Sequence, residues 1–206
     1  MMKDIDYSYE YKDDDNKYCY PGTNVLKNKL SIKDSEMLYN AEREFSMARY
    51  AALQVKPING DFSLKHLREI HKYLFQDVYD WAGVLRTVDI SKGTIFCLVQ
   101  HIEAQFEIIH QWLKKRNYLK DVSDRVEMAK DLAYVLGEIN MIHPFREGNG
   151  RAQRLYIEQL CENNGRFEVN FSFATQEEML KASVDASVCN YEAMEALFLK
   201  CLIERN

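Results

Sequence analysis

Residues 143–154, HPFREGNGRAQR, bring together a lone His, a Phe, a Glu, an Asn between two Gly, and two Arg. The flanking periodicity ends one helix near Ile142 and starts another near Gly148–Gly150, so the stretch is a loop opening onto a helix N-terminus. Such an end offers unpaired backbone N–H groups and the positive end of the helix dipole, and both attract anions. Gly148 and Gly150 let an anion come close to the backbone. Arg151 and Arg154 are three residues apart and lie on nearly one face of the new helix. Two guanidiniums beside a helix N-terminus suit an anion with several oxygens, such as a polyphosphate. Glu147 would repel that anion unless a divalent metal lay between them. Mg²⁺ takes one or two carboxylates and completes its shell with phosphate oxygens and water. The loop therefore reads as a site for Mg²⁺ and a nucleoside di- or triphosphate. His143, with an unperturbed pKa near ~6.5, suits removal of a proton from an attacking hydroxyl. Phe145 is expected to point inward and fix the loop. Singly, each residue has an ordinary use: a His at a helix end, a Gly-Asn-Gly turn, two Arg on a solvated face. Their conjunction in twelve residues favours one ligand.

The elements around the loop read as helices. Met37, Ala41, Phe45, Ala48 and Ala52 recur at helical steps between about Ser35 and Leu53. Ser63 is placed to cap a helix running to about Trp81, with Leu64, Leu67, Ile70, His71 and Leu74 on one face. Helical spacing returns over 99–116, 123–142 and from the GNG turn to Asn163. Thr175 and Glu178 form a capping-box pattern, and a last helix spans roughly 190–204. Between these, VLRTVDISKGTIFC (84–97) has β-branched runs on both sides of Ser91-Lys92-Gly93 and reads as a short hairpin. YPGT at 20–23 signals a turn. Residues 1–18 lack periodicity and read as a flexible lead-in.

Composition fits this picture. The chain has 206 residues, only three Pro and eight Gly, too few for a turn-rich all-β fold. The net charge of −5 argues against a general nucleic-acid binder. The five cysteines are scattered and never form CxxC, so a disulfide scaffold or zinc knuckle is not expected. No membrane span or signal peptide is evident. A cytoplasmic protein is expected, with secretion as an effector left open.

HPFREGNGRAQR matches, position for position, the HxFx(D/E)GNGRxxR motif of Fic-domain proteins, and the chain resembles that family over about residues 20–200. YPGTNVLKNKL (20–30) and LREIHKYLFQDVYDWAGVLRTVDISKG (67–93) carry the resemblance further. It implies an all-α fold: a lead-in at 1–19 and a single helical domain over 20–206, with a β-hairpin flap at about 86–97 over the active site. It implies a protein adenylyltransferase, moving AMP from ATP to a Tyr, Thr or Ser hydroxyl. His143 would be the general base, and Glu147 would hold Mg²⁺ between the α- and β-phosphates. Gly148, Asn149 and Gly150 would form the anion nest. Arg151 and Arg154 would hold the phosphate chain, Arg154 nearer the γ-phosphate. Ile95 or Phe96 of the flap would clamp the target side chain.

Regulation follows the family less closely. Many members carry an inhibitory (S/T)xxxE(G/N) helix whose Glu pairs with the second motif Arg. Here SIKDSEM (31–37) has Ser31, but Ser35 stands where the Glu is expected and Glu36 is one step late, about 100° around a helix. Constitutive activity, inhibition by a separate antitoxin-like partner and an altered residue at position 35 all remain open. So does self-modification, with Tyr7, Tyr9, Tyr11, Tyr18 and Tyr20 as acceptors. The alternatives to AMP transfer are a non-catalytic nucleotide-binding module and transfer of another group, UMP or phosphocholine.

Overall fold

The structure, a computed structural model, describes residues 17–92 and 94–205. Among the described residues seven α-helices carry the fold: α1 Ser35–Val55, α2 Leu64–Phe75, α3 Ile102–Lys115, α4 Arg125–Ile142, α5 Asn149–Glu162, α6 Gln176–Ala186 and α7 Glu192–Cys201. Two small antiparallel sheets complete it. One is the flap, β1 Ser91–Lys92 with β2 Thr94–Ile95. The other joins β3 Phe167–Val169 to β4 Leu202–Glu204.

Helix α4 is the axis of the fold. Asp124 caps it, its side chain accepting from the Glu127 N–H. Residues on every side of it are buried, from Met128 and Leu132 to Val135, Leu136 and Ile139. A helix apolar all round belongs in the interior, and α3, α5, α6 and α7 pack around α4. Gly137 permits one of these contacts, because a Cβ there would lie 2.8 Å from the Tyr191 ring. α5 crosses back from the end of α4, and α2 and then α1 pack beside it. The loop between α4 and α5 is thereby walled by α2 and by the inner face of α1.

Four features differ from the sequence expectation. α2 stops at Phe75 rather than Trp81, and residues 76–83 fold as consecutive turns through Val78 N–H to Phe75 O and Ala82 N–H to Tyr79 O. Ser63 stands at the α2 N-cap but makes no side-chain capping bond. The last helix ends at Cys201, and 202–204 pair with β3 instead. The apolar stripe of α1 faces outward: Met37 and Phe45 are exposed, while Leu38, Glu42, Ser46 and Leu53 face in. The Thr175–Glu178 capping box is present in full.

Candidate active site

The loop from His143 to Gly148 is locked at both ends. His143 caps α4 in the left-handed region, φ 47° and ψ 60°, where a non-glycine residue needs support. Arg86 supplies it. Arg86 is 1% exposed, and its Nε donates to the His143 carbonyl at 2.8 Å. Its other nitrogens donate to the carbonyls of Ile142, Val88 and Cys97, tying the loop to both sides of the flap. The His143 ring stacks on Phe96, with centroids 3.9 Å apart and planes at 17°. Nδ1–H donates to the Asn140 carbonyl at 3.1 Å. That bond fixes the tautomer of the neutral ring and places the basic lone pair on Nε2.

At the other end, Asn149 spends both side-chain atoms on Phe145: Oδ1 accepts from its N–H at 2.9 Å and Nδ2 donates to its carbonyl at 2.8 Å. Asn149 thus closes the loop, and what it can offer an anion is its backbone N–H at the start of α5. Phe145 is fully buried, as expected, stacked on His71 at 3.8 Å. His71 accepts from the Gly83 N–H through Nδ1 and donates from Nε2 to the Glu147 carbonyl, each at 2.9 Å. Burial holds its pKa down to about 3, so it is a neutral strut.

Gly148 has φ +78°, and a Cβ there would sit 2.3 Å from the Phe75 ring. Its smallness serves that packing. Gly150 is exposed, and a Cβ there would meet only Arg154 Nη1, at 3.3 Å. The Glu147 side chain accepts from the Gly148 N–H at 2.8 Å. Burial raises its pKa first and the nearby Glu42 second. A bound cation would stabilise this carboxylate as an anion, and its oxygens suit a hard ion such as Mg²⁺.

The two motif arginines have different surroundings. Arg151 donates to Glu42 and, at 2.7 Å, to Ser46 Oγ, both on α1, and its guanidinium lies 4.8 Å from the centre of the Phe75 ring. Arg154 is half-buried and acts electrostatically on Tyr50 and Glu158. Glu158 accepts from Tyr50 and, at 2.7 Å, from Gln54; burial raises its pKa.

His143, Glu147, Gly148, Asn149, Gly150, Arg151 and Arg154 thus meet in one place. The flap residues part company: Ile95 is 68% exposed, whereas Phe96 is turned inward under His143. Gly93 and the tyrosines at 7, 9 and 11 lie outside the described residues. Ser31, Ser35 and Glu36 are all exposed before or within the first turn of α1. The α1 carboxylate that reaches a motif arginine is Glu42, and it reaches Arg151, the first of the two.

Residues 61–161 match the Fic/DOC family model. Over 188 residues the chain is 35% identical to the probable protein adenylyltransferase Fic of Escherichia coli, covering 91% of this chain and 92% of that one. The chain belongs to the Fic/DOC family. It is also 37% identical to the protein adenylyltransferase VbhT of Bartonella schoenbuchensis, over 95% of its own length but 41% of that longer relative. Among solved structures, this Fic domain is similar to BepC of Bartonella tribocorum with bound AMPPNP, at a TM-score of 0.86 and 30% identity. That likeness covers 93% of this chain and 98% of the other. A Fic domain from Bartonella quintana with bound ADP matches equally well, at a TM-score of 0.86 and 31% identity over 92% and 95% of the two chains.

Glu42, Ser46, His71, Phe75 and Arg86 escape the motif reading. The available signal was weak: Glu42, Ser46 and Arg49 recur along α1 at steps of four and three and share a face, but Glu36, Asn40, Arg43 and Glu44 make the rest of the helix polar too.

Proposed function

We propose that this Fic domain is a protein adenylyltransferase that moves AMP from ATP to a Ser, Thr or Tyr hydroxyl of a target protein. The observation that carries the reading is the His143 ring, its tautomer fixed by the Asn140 carbonyl and its backbone held by Arg86, at the mouth of an α5 N-terminus flanked by two arginines. The target hydroxyl gives its proton to His143 Nε2 as its oxygen attacks the α-phosphorus. The bond from that phosphorus to the bridging oxygen breaks, and pyrophosphate leaves. Arg151, Arg154 and the first backbone N–H groups of α5 hold the phosphate chain in line, so the rate comes from positioning and charge stabilisation. Glu147 is the residue that would hold Mg²⁺, which when bound supplies positive charge to the phosphates. The names of the relatives and the nucleotides bound in the related structures support the choice of AMP and ATP.

Control by a separate antitoxin-like partner fits this reading. α1 carries exposed apolar residues, Met37, Phe45 and Val55, on the side turned away from Glu42 and Ser46, a surface for a partner helix to cover. Self-modification at Tyr18 is disfavoured, since that ring is 6% exposed and its hydroxyl is bonded to Thr87.

Intact-mass spectrometry after incubation with Mg²⁺, ATP and a cell extract tests the proposal, with UTP and CDP-choline in parallel. AMP added to protein by the wild type and not by His143→Ala, which still binds ATP, is the expected result. Transfer unaffected by His143→Ala, or transfer only from UTP or CDP-choline, would overturn it.

A further inference from the structure

Glu42 has no part in the motif, yet it is a tightly held charged group beside it. It lies midway along α1 and is 6% exposed. One carboxylate oxygen accepts from Arg151 and the other from the Tyr79 hydroxyl. Tyr79 is itself stacked on Trp81 at 4.2 Å. One turn along α1, Ser46, 1% exposed, accepts from the other terminal nitrogen of Arg151. The Phe75 ring supports the guanidinium face. Arg151 is thus gripped along its α1 edge by two partners and from one face by a third. Its remaining N–H groups are left to whatever enters the loop.

We propose that Glu42 is a positioning residue for nucleotide transfer: it is a permanent counter-ion that holds Arg151 in its phosphate-binding pose. The proposal rests on the reading of the loop as an ATP site. A carboxylate touching a motif arginine invites the opposite idea, a built-in competitor that takes the phosphate's place. The geometry points away from it. A competitor must withdraw when phosphate arrives. Glu42 sits in the body of a 21-residue helix, not at a mobile end. Withdrawing it would strand the Tyr79 hydroxyl, buried and without its acceptor. Arg151 also lies close to Glu147 electrostatically. With Glu42 gone, the other carboxylate acting on Arg151 is Glu147, the group assigned to the metal. Holding Arg151 back against α1 keeps the two roles apart.

The test compares Glu42→Gln, which keeps the shape and the Tyr79 contact, with the milder Ser46→Ala, after circular dichroism has shown that each is folded. Binding of ATP is measured by calorimetry, and binding of adenosine by competition against a fluorescent nucleotide. Arg151 serves phosphate and not the base. Glu42→Gln is therefore expected to weaken ATP at least about tenfold and leave adenosine unchanged, with Ser46→Ala following in the same direction to a smaller extent. The KM for ATP rises with it. Tighter ATP binding and faster transfer in Glu42→Gln would overturn the proposal in favour of a competitor. An equal loss for ATP and adenosine would overturn it in favour of a general structural role. Failure of the wild type to bind ATP would overturn the ATP reading itself, a result the other outcomes cannot imitate.

Discussion

The two glycines of the GNG turn separate two uses of a missing side chain. Gly148 combines a positive φ with a Cβ position inside the Phe75 ring, so Gly148→Ala meets backbone strain of about 1–2 kcal/mol and a clash with a fully buried aromatic. Gly150 is helical and open except for Arg154 Nη1. Gly150→Ala should gain up to about 1 kcal/mol of helix propensity while crowding the space beside Arg154 proposed for phosphate. The expected results are opposite in thermal denaturation: a lower melting temperature for Gly148→Ala, and an unchanged or higher one for Gly150→Ala. ATP titration should show weaker binding in both. A stable, tight-binding Gly148→Ala would mean that Phe75 does not pack as seen. His143, Glu147, Arg151 and Arg154 were legible in the sequence because their chemistry lies within twelve residues. Glu42, Arg86 and His71 were not, because their partners stand 109, 57 and 76 residues away, distances that only the fold removes.

At the scale of elements, periodicity located the helices but misjudged what one of them buries. The Met37–Phe45 stripe of α1 is as regular as a core stripe, yet the helix turns its Glu42–Ser46 side inward because Arg151 needs an anion there more than the core needs another methionine. The early end of α2 was hidden for a related reason. Residues 76–82 contain no Pro or Gly, and the turn is enforced from a distance, by Gly83 bonding to His71 and Lys29 N–H to Val78 O. Where a signal is local it held, as at the Thr175–Glu178 capping box. That box sits on α6, remote from the loop, and offers a clean control. Thr175→Ala should lower unfolding free energy by about 1 kcal/mol in urea. The KM for ATP and kcat should stay unchanged. A change in either constant would show that α6 communicates with the active site.

The molecule as a whole is tuned against acid by its buried histidines. His71 connects α2, the turn at Gly83 and the motif loop, and burial lowers its pKa from 6.5 to about 3. His66, accepting from the Phe62 N–H and bonded to the Ile58 carbonyl, is lowered by burial too. In the unfolded chain each takes a proton near pH 6.5, while the folded chain leaves His71 neutral until far lower. Between those two values the unfolded state binds more protons, so stability is complete above about pH 6.5 and falls as pH drops toward 3. The slope is up to about 1.4 kcal/mol per pH unit for each histidine. Carboxyls titrate in the same range with both signs. Asp61 and Asp77, lowered by their hydrogen bonds, add to the loss, and Glu147 and Glu158, raised by burial, oppose it. The contribution of His71 is isolated by comparing urea unfolding of the wild type and His71→Gln between pH 7 and pH 4.5. The variant starts less stable, having lost a fitted strut, but its decline with acid should be shallower by up to the slope of one histidine. Parallel declines would mean that His71 is protonated in the folded protein and donates from both nitrogens. That would break the Gly83 bond and, with it, the path by which the body of the fold holds the Glu147 backbone in place.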